Sequence, residues 1–106
     1  MKKVNEGIEM KRLKGVIVPV TTPFDEKDRV DTEALKRQIT FLADKGVDAV
    51  YPCGTTGEML LMSVEERKAV AQAAVEAAAG RVDVFIHTGA MTLQDTLELT
   101  KHAHEI

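Results

Sequence analysis

Residues Gly15 to Phe24 read GVIVPVTTPF, and this stretch decides between the fold classes open to the chain. The run Gly15 to Val20 is rich in β-branched residues and barely alternates, which is typical of a parallel strand buried on both faces. A nucleotide-binding open sheet usually carries a glycine fingerprint in its first strand-to-helix turn, but Thr21 to Phe24 contains no glycine. The stretch therefore favours a barrel over an open doubly wound sheet.

The rest of the chain repeats the alternation of strand and helix. Further strands are predicted at Val47 to Tyr51 and Val82 to Ile86. Capping and periodicity predict three helices. The first is capped by Asp31 or Thr32, carries Leu35, Ile39 and Leu42 at helical spacing and stops at Gly46. The second has a capping box of Ser63 and Glu66 and stops at Gly80, and the third is marked by Leu93, Leu97, Leu99 and Ala103. This order requires parallel strands joined by right-handed crossovers.

The fold class predicted from this order is α/β, a (β/α)₈ TIM barrel of which the chain holds about the first three βα units. A complete barrel needs about 250 residues, and the chain has 106. We therefore expect residues 1–12 to be a polar leader and residues 13–106 to be the N-terminal part of one barrel domain, truncated in the third helix. Three parallel strands alone would leave two sheet edges unpaired.

Composition excludes several classes of partner. The formal charge is −3 and the basic residues are dispersed, so nucleic-acid binding is not expected. No apolar run approaches the roughly 20 residues that cross a bilayer, so no membrane partner is expected. The single cysteine, Cys53, and the lack of a secretory signal favour a reducing cytoplasm. Three scattered histidines predict no metal site.

The loops that follow the strands at their C-terminal ends carry the candidate chemistry. Gly54 to Glu58, GTTGE, places the hydroxyls of Thr55 and Thr56 between two glycines, where backbone amides can also approach a ligand. These donors suit a small carboxylate, and a helical turn starting there would add partial positive charge. From spacing alone, a tight turn whose threonines cap Met59 to Met62 is the simpler interpretation.

Four neighbouring residues have simpler structural interpretations. Cys53 is expected to be a small buried hydrophobe, and Tyr51 is expected to pack inside the barrel. Glu58 is expected to fasten its loop or to neighbour a helix terminus. His87 could act as an acid or base at the end of the third strand, but a packed or capping role is the simpler one and its function stays open.

The segments Gly15 to Phe24, Gly54 to Glu58 and Thr88 to Ala90 resemble successive signatures of the dihydrodipicolinate synthase/N-acetylneuraminate lyase family. The resemblance covers nearly all of Leu13 to Ile106. It implies a TIM barrel, usually a homotetramer, that condenses or cleaves 2-oxo acids through an imine between pyruvate and a lysine on a later strand. It also implies that Thr55 and Thr56 bind the pyruvate carboxylate, that Thr55 joins a proton relay with a tyrosine, and that no metal or organic cofactor is needed.

The lysine and the relay tyrosine are expected beyond Ile106 by the family's layout. A Schiff-base lysine needs a partly desolvated site that lowers its pKa, and the lysines here fall on solvated helices or loops. The chain is therefore predicted to be an inactive fragment of a carbon-carbon or carbon-oxygen lyase. The parent would be of the 4-hydroxy-tetrahydrodipicolinate synthase or N-acetylneuraminate/2-keto-3-deoxy sugar acid aldolase type, acting on a 2-oxo acid and an aldehyde. The alternative is a small α/β ligand-binding domain or a scaffold domain that associates with its own copies.

Overall fold

Three short strands alternate with three helices in the computed structural model, which describes residues 14–106. The strands are β1 (Ile17–Pro19), β2 (Ala49–Tyr51) and β3 (Asp83–Val84), and the helices are α1 (Thr32–Asp44), α2 (Val64–Ala78) and α3 (Leu93–Glu105). A 3₁₀ helix, Met59–Leu61, lies between β2 and α2. Within residues 14–106 no helix has the length and apolar character to cross a bilayer. The predicted leader, residues 1–12, lies outside the described residues.

The strands form one parallel sheet in the order β1-β2-β3. Ile17 pairs with Ala49 in the first ladder, and Ala49 pairs with Asp83 in the second. The predicted strands were longer than those observed, although the amides of Phe85 and His87 still donate to the carbonyls of Val50 and Pro52, at 2.9 and 3.2 Å. The ladder between β2 and β3 therefore extends to the loops at the C-terminal ends of the strands.

Side-chain caps fix where the helices begin. The Asp31 carboxylate accepts from the Ala34 amide at 3.0 Å, so Asp31 rather than Thr32 is the N-cap of α1. Ser63 and Glu66 form the predicted capping box of α2, with reciprocal bonds of 3.1 and 2.8 Å. Gly46, at φ 89°, follows the last turn of α1, where the backbone enters the left-handed region. The helix positions predicted from capping are thus confirmed.

The core lies between one face of the sheet and the first two helices. Val50 from β2, Leu35 and Ile39 from α1 and Val70 from α2 are each 0% exposed. Burying each such side chain contributes about 1.5–3 kcal/mol relative to leaving it in water. Val18, Val20 and Val84 pack into the same cluster from the sheet, so α1 and α2 cover the same face. That arrangement matches the start of a barrel, because a doubly wound sheet places helices on both faces.

The prediction that the first strand is buried on both faces is wrong for this chain. Ile17 is 41% exposed and Pro19 is also exposed, while Val18 between them packs into the core. From Ile17 to Val20 the run therefore alternates in burial even though it barely alternates in polarity. The physical reason is that helices cover only one face of β1, and no other described segment covers the opposite face.

Candidate functional site

Three loops meet at the edge of the sheet where the parallel strands end. They follow β1 at Val20 to Phe24, β2 at Pro52 to Glu58 and β3 at Phe85 to Ala90. The Val20 amide donates to the Tyr51 carbonyl at 3.3 Å, and the His87 amide donates to the Pro52 carbonyl at 3.2 Å. Backbone hydrogen bonds therefore join the first loop to the end of β2 and the third loop to the middle loop, as expected for the C-terminal edge of a parallel sheet.

The middle loop closes on itself in successive turns. The Gly57 amide donates to the Gly54 carbonyl at 3.0 Å, and the Glu58 amide donates to the Thr55 carbonyl at 2.9 Å. Cys53 and Glu58, on either side of the glycines and threonines, both adopt left-handed backbone conformations, with φ of 63° and 59°. Such conformations are uncommon for residues with a Cβ and need the surrounding structure to hold them. The loop is therefore constrained at both ends.

Thr55 and Thr56 are both exposed at the centre of this loop. Within residues 14–106, neither their hydroxyls nor their backbone amides donate a hydrogen bond. The threonines therefore do not cap Met59–Leu61 through their side chains, which was the simpler interpretation of the spacing. Thr55 also borders a small open pocket with Glu58 and Met59–Leu61, whereas Thr56 does not line that pocket.

Thr22, from the first loop, contacts the middle loop and was not singled out by the sequence. Its side chain is 5% exposed, and its hydroxyl donates to the Gly57 carbonyl at 2.7 Å. The sequence did contain a signal for a buried Thr22, because side chains alternate between the two sides of an extended segment. Val18, Val20 and Thr22 therefore fall on the same side, and the two valines are in the core. A hydroxyl at such a position needs a buried partner.

Arg67 is a second important residue that sequence reasoning missed. It is 3% exposed on α2, and its guanidinium donates to the carbonyls of Gly89 and His87 at 2.7 and 2.8 Å. Its Nε is buried without a hydrogen-bond partner among the described residues. The signal was helical spacing, because Arg67 lies three and four residues before Val70 and Ala71 on the buried stripe of α2.

Comparison with known proteins identifies the lineage of this site. Residues 12–106 match the sequence profile of the Dihydrodipicolinate synthetase family. The chain belongs to this family. The match includes all three loops at the end of the sheet, and it confirms the family resemblance of the sequence.

Relatives in the family include both synthases and lyases. The 4-hydroxy-tetrahydrodipicolinate synthase of Aquifex aeolicus (strain VF5) is 45% identical over 92 residues, which are 87% of this chain and 31% of that protein. The crystal structure of dihydrodipicolinate synthase from Aquifex aeolicus is 44% identical, with a TM-score of 0.83 over 88% of this chain and 31% of that one. The native structure of N-acetylneuraminate lyase from Aliivibrio salmonicida is 45% identical, with a TM-score of 0.88 over 92% and 32%.

The chain therefore spans about a third of the length of the relatives it matches. Those solved relatives are TIM-barrel enzymes, which confirms the predicted fold class with about three βα units present. In this family member the sheet and its helices superpose on the same architecture despite the short strands. The residues assigned to pyruvate binding, Thr55 and Thr56, remain a prediction that the comparisons do not test.

His87 and Tyr51 pack together beside the middle loop of this family member. Their ring centroids are 5.9 Å apart with an interplanar angle of 82°, an edge-to-face contact. His87 Nδ1 also lies 3.5 Å from a terminal nitrogen of Arg67. A Cβ added to Gly54 would lie 2.9 Å from the Tyr51 ring, so glycine is needed for this close approach. The expected packing roles of both residues agree with these contacts.

Cys53 is 1% exposed, and its sulfur lies 3.9 Å from the Arg67 carbonyl oxygen. Burial raises the pKa of the Cys53 thiol, against a smaller opposing effect of the Arg67 charge. A raised pKa keeps the thiol protonated at neutral pH, and a protonated thiol is a poor nucleophile. Cys53 therefore serves as the small buried residue that its sequence position predicted.

The lysines of the described residues lack the environment of an imine-forming amine. A hydrogen bond from Lys36 to Glu76, at 2.9 Å, raises the pKa of Lys36. A hydrogen bond from Lys68 to Glu98, at 2.6 Å, likewise raises the pKa of Lys68. An imine-forming lysine needs a lowered pKa. The other described lysines are exposed: Lys14, Lys27, Lys45 and Lys101.

Proposed function

We propose that this chain supplies the N-terminal third of an imine-forming lyase or synthase that acts on pyruvate or another 2-oxo acid together with an aldehyde. The observation that carries the proposal is the pair of adjacent threonines, Thr55 and Thr56, whose hydroxyls and amides are free of hydrogen bonds in residues 14–106. Unpaired donors gathered in a constrained loop can bind a carboxylate without rearrangement. Family membership supplies the reaction class.

Neutral donors suit this particular chemistry. A carboxylate bound by hydroxyls and amides has its hydrogen-bonding capacity satisfied without a nearby cation. A cation at that point would instead add a second charge that alters the pKa of the reacting lysine. In the proposed reaction Thr55 is also a catalytic residue, passing a proton toward a tyrosine supplied by a later part of the barrel. The reaction as proposed uses no metal or organic cofactor.

The second substrate and the assembly are part of the proposal. Both relatives of known type, a 4-hydroxy-tetrahydrodipicolinate synthase and an N-acetylneuraminate lyase, remain candidates for the parent activity, as does a 2-keto-3-deoxy sugar acid aldolase. We propose a homotetramer working in the cytoplasm. The lone cysteine is consistent with a reducing compartment.

The proposal is tested with a complete enzyme that carries this segment. Residues 12–106 are joined to the remaining two thirds of the Aquifex aeolicus synthase, in place of the matching third of that protein; this hybrid is called the completed barrel below. Incubation with pyruvate and borohydride should trap a covalent adduct, detected by intact mass. The intact Aquifex protein is the positive control, and the 106-residue chain should trap none. A folded completed barrel that traps no adduct would contradict the proposal.

Substitution of the threonines tests their assigned role. Thr55→Val and Thr56→Val in the completed barrel should each raise the KM for pyruvate by about ten- to a hundredfold, since a hydrogen bond to a charged group contributes about 1.5–3 kcal/mol. Thr55→Val should also lower kcat, because it removes the relay hydroxyl. Thr40→Val, an exposed threonine on α1, is the matched control and should change neither constant. Equal KM values for the three variants and the unsubstituted completed barrel would refute the carboxylate assignment.

A second candidate function, a scaffold domain that associates with its own copies, is favoured by the exposed apolar residues. Leu93 and Leu97 on α3 are 74% and 60% exposed, and Leu61 beside the middle loop is 74% exposed. Large exposed apolar side chains are the kind of surface through which copies of a chain associate. This reading requires the 106-residue chain alone to form a discrete species that melts cooperatively.

A further inference from the structure

The middle loop is fastened to the loop after β1 through Thr22. The Thr22 hydroxyl donates to the Gly57 carbonyl at 2.7 Å, and both residues are buried. The amides of Gly57, Glu58 and Met59 donate to the carbonyls of Gly54 and Thr55 and so close turns within the loop itself. Among the described contacts, the bond from Thr22 is the one that ties residues 54–57 to the loop after β1.

Gly57 lies close against this anchor. A Cβ added to it would lie 3.1 Å from the Cys53 amide nitrogen, 3.2 Å from the Thr22 hydroxyl oxygen and 3.2 Å from the Val20 carbonyl oxygen. The backbone at Gly57 therefore lies against the residues that follow β1 and leaves little room there for a side chain. Because Thr56 is bonded directly to Gly57, a shift of the Gly57 carbonyl would also move the Thr56 amide and hydroxyl.

We infer that Thr22 is a positioning residue for binding of the 2-oxo acid, holding Thr55 and Thr56 in place through its hydrogen bond to the Gly57 carbonyl. The inference rests on the proposed function, in which those threonines bind the carboxylate. Thr22 does not touch the substrate; it sets the geometry of the groups that do. Small displacements of binding groups have large effects, because oriented contacts lose strength steeply with misalignment.

The adjacent residue Thr21 provides a matched control. It is exposed, and its hydroxyl pairs with the side chain of Gln38 on α1 at 3.3 Å rather than with the loop. The two threonines therefore have the same chemistry and neighbouring positions, but only Thr22 contacts Gly57. An effect on substrate binding that is specific to Thr22 must come from the loop anchor.

The test measures steady-state constants of the completed barrel with Thr22→Val, Thr22→Ser and Thr21→Val. Valine keeps the shape of threonine and removes the donor, so Thr22→Val should raise the KM for pyruvate by about tenfold, because the binding groups of Thr55 and Thr56 are then misplaced. The fall in kcat should be smaller than the rise in KM. Thr22→Ser keeps the hydroxyl and should restore the KM, and Thr21→Val should match the unsubstituted protein.

A merely structural role would lower the thermal midpoint of Thr22→Val and leave its KM for pyruvate unchanged, which would overturn the inference. If Thr22→Val does not fold, Thr22→Ala is compared with Thr22→Ser, and equal KM values in these two would overturn it as well. An unsubstituted completed barrel that traps no pyruvate adduct would overturn the proposed function itself, and the inference with it. An adduct together with an unaffected KM would remove only the role of Thr22.

Discussion

Arg67 brings a positive charge into the interior at the start of α2, where its side chain is 3% exposed. Within residues 14–106 no carboxylate forms an ion pair with it, and its charge is solvated by the carbonyls of His87 and Gly89. Burying a cation without a carboxylate partner is costly unless its donors are satisfied. The two short hydrogen bonds to His87 and Gly89 offset that cost, and they hold the loop after β3 against α2.

Loss of this guanidinium should destabilise the fold. Arg67→Met in the completed barrel leaves the carbonyls of His87 and Gly89 without their donor and should lower the free energy of unfolding by about 1–3 kcal/mol. Arg37→Met on α1 replaces an exposed arginine and is the control, with an expected change within about 0.5 kcal/mol. Urea denaturation measures both. A stability for Arg67→Met equal to that of Arg37→Met would show that burial of the charge cancels its hydrogen bonds.

Single residues differ in how far their roles could be predicted from sequence. Thr55 and Thr56 were assigned to carboxylate binding from the family resemblance of the GTTGE segment, and that role stays a prediction. The roles of Thr22 and Arg67 depend on partners 35 and 20 to 22 residues away in the chain. No local pattern reports such partners, because they are set by the register of the sheet and by the packing of α2. The sequence shows only that Thr22 and Arg67 are polar residues at positions where the neighbouring side chains are buried.

At the scale of elements, helix ends were predicted more accurately than strand ends. Asp31, Ser63 and Glu66 cap their helices through contacts within three residues, so the sequence contains both partners. A strand end depends on its neighbours across the sheet. The predicted strand at Val82 to Ile86 is observed only at Asp83–Val84, since β3 pairs with β2 and has no partner on its other side among residues 14–106.

The capping box gives an element-scale prediction. Ser63→Ala removes the hydroxyl that accepts from the Glu66 amide at 3.1 Å, and should destabilise the completed barrel by about 1 kcal/mol. Thr40→Ala in the middle of α1 is the control, because this exposed residue caps no helix and alanine has the higher helix propensity. Thermal and urea unfolding of both variants provide the measurement. A Ser63→Ala variant as stable as Thr40→Ala would mean that packing alone fixes the start of α2.

At the scale of the whole molecule, helices cover one face of the sheet, and no other segment of residues 14–106 covers the second face. The core cluster joins β1, β2 and β3 to α1 and α2 on a single side. Ile17 on the opposite side of β1 is 41% exposed. In a TIM barrel the corresponding face turns inward and is filled by residues from all eight strands. The sequence predicted strands whose two faces are both buried. The chain matches about a third of each solved relative, and in a complete barrel the side chains of the other strands cover the inner face.

Within residues 14–106 one face of the sheet is open, and this face predicts how the 106-residue chain behaves alone. The exposed Ile17 on that face and the exposed leucines at 93 and 97 should drive association without a fixed stoichiometry. Light scattering across a concentration series should show a mass that rises continuously, and heating should give no cooperative transition. The completed barrel is the control and should have one defined mass, because the added strands cover that face. A discrete, cooperatively melting oligomer of the chain alone would instead favour the scaffold reading over the enzyme fragment.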